Sequence, residues 1–449
     1  MQFNFKKSVY SLGVTLMLST AIPVVSSAEE ATPQVSSWAT ETLVQGEKYG
    51  IFPMDWYSKD FQKNISLKRL DELMQLTEEK IAALNLPKNE KFVPVRERKN
   101  NTRENIINRL YNIVGQYDLN VGTDPVAYMQ DRNVLRGSAN GLKLKARATT
   151  EEAVIFAVRL VEDTYKQVDA GGKGVAWVVE DEDTKVYLLG SIHMGIPDLY
   201  PMHHKLISAF NESDALFVEV NLLEDSTNLV LEKAFYNDGR TIRDDLSDEA
   251  YAKLVQVAEQ MYLPMEVLEG IKPWSLASTL SSLLMDGHYG NLTGVEMTQY
   301  GVDMQFLLQA TVQQKPIYEL EGIEKQLTMF DSLSKETQEE MLVSLLDEIL
   351  TPQEPDENQE DILADWFEYW RLGDIENFAI SAAILEGDDE YSKMLFGQRD
   401  EDMASSLIEL LETEPGEFFV VVGAGHFLVE NNIRTHLEAN NYKVSPFYE

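Results

Sequence analysis

The sequence predicts two unlike parts: an all-α repeat region over residues 29–168 and a layered α/β (α+β) domain over 175–449, joined by a linker at 169–174. Three observations carry this. Capped helical stretches recur in the first part at a matched internal spacing. Residues 169–174 (Asp169-Ala170-Gly171-Gly172-Lys173-Gly174) have linker composition. After Gly174 the pattern changes to short apolar, β-branched or aromatic runs alternating with long amphipathic stretches, the signature of a layered fold with parallel pairing.

Bulk properties set the frame. At 449 residues the chain is long enough for two domains. Acidic residues outnumber basic ones 75 to 38, for a net charge of −37. That field repels nucleic-acid phosphates and anionic lipid, so neither is an expected partner. It suits solubility, cation binding or a place beside a charged wall polymer. The acidic run Glu354–Asp361 reads as a solvated loop. With no cysteine in the chain, disulfides, thiolate nucleophiles and sulfur-ligated metals are all excluded.

Elements follow in chain order. Lys6 and Lys7, an apolar run from Val9 to Ile22, Pro23 and then Val25-Ser26-Ser27-Ala28 have the order of a secretory signal peptide over residues 1–28. Cleavage is expected after Ala28, with no integral membrane span in the mature chain. Ser66, Thr102 and Thr149 each precede apolar residues at helical spacing, and each stands where an N-cap oxygen would hold the free amides of a helix start. Tyr49-Gly50-Ile51 and Arg132-Asn133-Val134 form a second matched pair: Ile51 precedes Ile65 by 14 residues and Val134 precedes Ala148 by 14. Constant internal spacing marks an array. With Ser37-Trp38-Ala39, Gly50-Ile51, Ile65-Ser66 and Thr102-Arg103-Glu104, the region resembles S-layer homology (SLH) repeats. The resemblance implies docking on secondary cell-wall polysaccharide and a place at the cell wall or S-layer. It departs from the pattern at Leu84–Asn101 and keeps Thr-Arg-Glu only in the middle copy.

In the second domain four apolar runs end in chemistry. Val186–Leu189 leads into Gly190-Ser191-Ile192-His193, Ala215–Val218 into Glu219, Pro316–Leu320 into Glu321, and Phe418–Val422 into Gly423-Ala424-Gly425-His426. Open sheets of this class gather ligands at the C-terminal ends of their strands. Two histidines and one or two carboxylates make a divalent-metal set of nitrogen and oxygen donors. The remaining histidines, His203, His204, His288 and His436, read as surface residues. No His-Glu-x-x-His or Gly-x-Ser-x-Gly occurs, and Ser191 has no triad partner by spacing.

Residues 176–446 resemble the TraB/PrgY/GumN family, which includes the Tiki proteases. The matches, in order, are Tyr187–His193 with Tyr200-Pro201, Ala215–Val220, Lys272-Pro273-Trp274, Gly301-Val302-Asp303, Lys315–Glu321 with Lys325-Gln326-Leu327, Arg399-Asp400 with Met403-Ala404, and Val421–Leu428 with Tyr442-Lys443-Val444. The resemblance places His193 and His426 in the two Gly-x-x-His motifs and Glu219 at the acidic strand end. Arg399 matches an Arg-Asn motif in which Asp400 replaces Asn, leaving that neighbour without a role. On its own, Arg399 opening a helix reads as a surface ion-pair residue.

The expectation is a metal-dependent hydrolase of peptide or protein substrates. His193, His426 and Glu219 would hold the ion, Glu219 or Glu321 would take the proton from water, and Arg399 would stabilise the oxyanion. Family resemblance favours manganese or cobalt over zinc. The alternative is a non-catalytic protein that sequesters a peptide signal at the cell wall.

Overall fold

The computed structural model describes residues 34–137, 141–351 and 361–448. The expected signal peptide and all but the last residue of the acidic run lie outside the described residues. The chain divides into two compact units: Ser27–Gly172 with Pro197–Ile207, and Lys173–Ile196 with Ser208–Glu449.

In the first unit the helices begin where local chemistry puts them. Ser66 caps α1 (Leu67–Ala82) by accepting from the Arg69 amide. Thr102 caps α2 (Arg103–Gly115) through Asn105. Thr149 caps α3 (Thr150–Gln167) in a full capping box with Glu152. The three starts are joined by backbone hydrogen bonds: Ile65 donates to Ala148, Thr150 to Lys63, and Ala148 to Asn101. Gly50 and Asn133, the matched turn residues, are both left-handed, at φ 69° and 58°. Ile51 and Val134, which follow them, are both fully buried.

The Gly-rich segment also bonds on each side within its own unit. Gly172 donates to Pro201 and accepts from His203, closing a parallel bridge to Met202, while Lys173 and Gly174 donate to Arg371 and Trp370. This corrects one expectation. His203 is buried, because that bridge draws residues 201–203 against the segment. His204 and His436 are half-buried and His288 is exposed.

The second unit is built on a six-stranded sheet of β1 (Val175–Glu180), β2 (Thr184–Ser191), β3 (Ala215–Val218), β4 (Ile317–Glu319), β5 (Gly416–Gly423) and β6 (Val444–Pro446), in the order β4-β3-β5-β2-β1-β6. The four strands whose ends carry chemistry are the four that pair in parallel; β1 runs against them and pairs antiparallel with both β2 and β6. β2 and β5 are near-continuous buried apolar runs, as strands covered on both faces must be. Register then decides what meets. Ser191 lies beside Gly423, and Val218 beside both Val421 and Glu319. Residues just beyond these points therefore emerge at one end of the sheet. A helical layer with its own core, centred on Trp274, Leu254, Leu342 and Leu346, occupies the chain between β3 and β5. No helix among the described residues is long and apolar enough to cross a membrane.

Candidate functional site

The strand ends open into a cavity of about 170 Å³, lined at one end by Ser191, His193, Glu219, Asp303, Arg399 and His426. Each group is placed by its own element. His193 follows β2, and its orientation comes from α4 (Val302–Gln313). A Cβ on Gly301 would stand 2.4 Å from the His193 carbonyl oxygen, so only glycine admits this approach. Next to it the Val302 amide donates to the Ile192 carbonyl. Asp303, one residue on, then brings its carboxylate 2.5 Å from His193 Nδ1.

His426 stands in a short helical turn after β5, at the same sheet end. Its Nδ1 lies 2.7 Å from Asp400 Oδ1, in the first turn of α5 (Gln398–Thr413). The other Asp400 oxygen accepts the Gly397 amide, which fixes the carboxylate. An ionised carboxylate only accepts, so each imidazole spends its Nδ1–H on an aspartate and keeps Nε2 for the cavity.

Glu219 leaves β3 between them. Its Oε1 accepts the Gly423 amide at 2.5 Å and lies 3.9 Å from His426 Nε2. Gly423 has space for this: a Cβ there would sit 3.2 Å from Glu219 Oε1 and 3.4 Å from His193 Nε2. Glu219 Oε2 accepts from Gln326 and from Arg399. Burial alone would raise the Glu219 pKa, but His426, Arg399, His193 and the Gly423 amide pull it down to about 2. For His193, burial opposes the charge, yet Asp303 outweighs it and lifts the pKa to about 9, with Glu219 adding to the effect. Without an ion, His193 is therefore protonated at neutral pH, and any cation at Nε2 has to displace that proton.

Glu321 and Arg399 form the layer behind. Arg399 holds Glu321 through Nε at 2.9 Å and Nη2 at 2.6 Å, and sends Nη1 to the Leu395 carbonyl. The Glu321 side chain has no exposure and does not line the cavity; Gln326 satisfies it as well. The two glutamates between which the sequence left the general base open are distinct: Glu219 faces the cavity and Glu321 faces Arg399. Arg399 itself is buried, which corrects its reading as a surface ion-pair residue. Four N–H···O contacts occupy most of its five donors, so its principal work is to hold the two carboxylates.

Asp303, Asp400 and Gln326, which bond to His193, His426 and Glu219, were missed by sequence reasoning, although all three stand in motifs it singled out. Among the described residues the buried Ser191 Oγ has no hydrogen-bond partner, so it makes no contact with His193 of the kind a serine nucleophile needs. Among the described residues, the one set whose ligand atoms all lie within 4.8 Å of one another is Asp169, His203 and His204. There the Asp169 side chain is 65% exposed and simply pairs with both rings. His193, His426 and Glu219 surround a wider space. Their fit to a cation rests on donor chemistry: two imidazoles anchored through Nδ1 and an anion that stays ionised to low pH.

Two curated relatives are similar to this chain. One is a protein of Escherichia coli (strain K12) called YbaP and described as uncharacterized; the other is the protein of the same name from Shigella flexneri. Each is 26% identical over 247 residues, spanning 55% of this chain and 85% of the relative. No solved structure matches. The family model described as TraB/PrgY/gumN matches residues 175–446, and the span includes every group placed above. The chain belongs to the TraB/PrgY/gumN family.

Proposed function

We propose that the cavity at the strand ends holds one divalent cation and hydrolyses peptide bonds, in an exported protein associated with the cell wall. The observation that carries the reading is the paired arrangement of His193–Asp303 and His426–Asp400, with both free Nε2 atoms on the side of Glu219. Neutral imidazoles held by carboxylates are the usual form of histidine ligands. When bound, a divalent cation supplies Lewis acidity and activates water at neutral pH. Manganese or cobalt is the preferred ion by family resemblance.

The chain's own groups do the rest. Glu219 completes the ligand set as an anion that stays ionised to low pH. Of the two glutamates it is the one with a face on the cavity, so proton transfer from water is assigned to it rather than to Glu321. Arg399 and Gln326 keep it in place, and Glu321 keeps Arg399 in place. Incubating the purified protein with Mn²⁺ and a peptide mixture should yield new termini by mass spectrometry, abolished by chelator. Glu219→Gln should lower kcat/KM at least ~100-fold. Cation and peptide binding with no cleavage would instead establish the sequestering function. Absence of any bound divalent cation would overturn both the ion site and the hydrolase.

Wall association is supported by the SLH resemblance of the first unit. The full chain is expected to sediment with cell-wall sacculi carrying secondary polysaccharide and to stay in solution with sacculi stripped of it. Equal sedimentation with both would refute polymer docking.

A further inference from the structure

The cavity has a second, chemically opposite half. Beyond the polar end its wall includes Phe330, Trp366, Phe378 and Leu385 from four separate helical segments, with Leu222 and Phe396 from a turn and a bend. Trp366 has turned its one polar atom away: Nε1 donates to Ser381 Oγ at 2.9 Å, while the ring lies 5.7 Å from Phe378. The apolar wall begins in contact with the chemistry. Phe396 meets the His426 imidazole edge-on, with centroids 5.3 Å apart. Gly425 makes room for it, since a Cβ there would come within 2.9 Å of the Phe396 ring. A group bound at the polar end thus has its neighbouring substituent directed at hydrocarbon.

We propose that this half is a specificity subsite for an aromatic or large aliphatic side chain flanking the scissile peptide bond; the proposal rests on the hydrolase reading above. The cavity, polar and apolar ends together, measures about 170 Å³, so a single ring, which an apolar cavity of about 150 Å³ accepts, would take up most of it. A charged side chain would find no partner among the six apolar wall residues, whereas a ring would find aromatic edges and faces on several sides. The reaction it serves is simple hydrolysis. Water gives its oxygen and one proton to the carbonyl carbon as the new carboxyl group, the C–N bond breaks, and the other proton goes to the leaving amine.

The test uses the full chain loaded with Mn²⁺ and a set of peptides differing only at the residues flanking the central bond: Phe, Leu, Ala, Ser or Asp. Phe and Leu peptides should exceed Ser and Asp peptides by roughly 10–200-fold in kcat/KM. Leu385→Asp on the half-buried wall, or Phe396→Ala should the first unfold, should erase most of that preference. Cleavage at equal rates across the set would overturn the subsite and leave the hydrolase standing. If no peptide is cleaved, the hydrolase reading fails, and equilibrium dialysis of the metal-free protein decides the subsite. Binding of the Phe peptide at least ~10-fold tighter than the Ser peptide would sustain it, and equal binding would end it.

Discussion

Replacing His193 or His426 with alanine is expected to lower the affinity for Mn²⁺, Co²⁺ and Zn²⁺ to similar extents. Changes to groups that only orient a ligand already cost ~10–100-fold, so loss of a ligand should cost at least that much. The double replacement should be little worse than either single one, because the two rings act on one ion. Asp303→Asn and Asp400→Asn should fall in the ~10–100-fold range, since each leaves the ring present but replaces the anionic acceptor at its Nδ1 with a neutral amide. His288→Ala and His436→Ala should bind as the wild type does. Titration calorimetry of the metal-free protein distinguishes these outcomes. Unchanged binding in either single histidine variant would dissolve the shared site.

Arg399→Met should be among the most destabilising single changes at this centre. The Glu321 side chain is fully buried and that of Arg399 is 9% exposed. Removing one partner of a buried pair leaves the other charge poorly compensated, here by Lys325 Nζ at 3.8 Å alone, and costs up to roughly 3–5 kcal/mol. The Arg399→Met, Glu321→Met double variant should recover much of that loss, because hydrocarbon of similar volume can replace such a pair. Urea unfolding reads both effects as a shifted midpoint at constant slope. Wild-type stability in Arg399→Met would mean that Glu321 is uncharged in the fold and that the ion pair does not organise Glu219.

How much of this was legible in the sequence depended on the range of the interaction. Ser66, Thr102 and Thr149 were readable as caps because a cap is settled within three residues. The four parallel strands were readable because each is one apolar run, and their ends named His193, Glu219, Glu321 and His426. The register that brings Ser191 beside Gly423 was not, since it depends on partners more than 200 residues apart. Asp303 and Asp400 each sit in the first turn of a helix, where an acidic residue ordinarily signals only a favourable dipole. Nothing local shows that each also reaches an imidazole from another element. His203 was misread for a similar reason: its burial comes from a bridge to Gly172, on a distant stretch of chain.

The place of β5 in the sheet bears on when the centre can exist at all. This strand, Gly416–Gly423, sits between β3 and β2 in the sheet and follows both of them in the chain. Before it emerges, the antiparallel β1–β2 pair and the parallel β3–β4 pair are separate fragments with open edges, each leading into one residue of the site. Its insertion joins them, donates the Gly423 amide to Glu219, and is followed within three residues by His426. A chain in which β5 has not yet inserted therefore has no assembled centre, and its groups come together in a single step with the closing of the sheet.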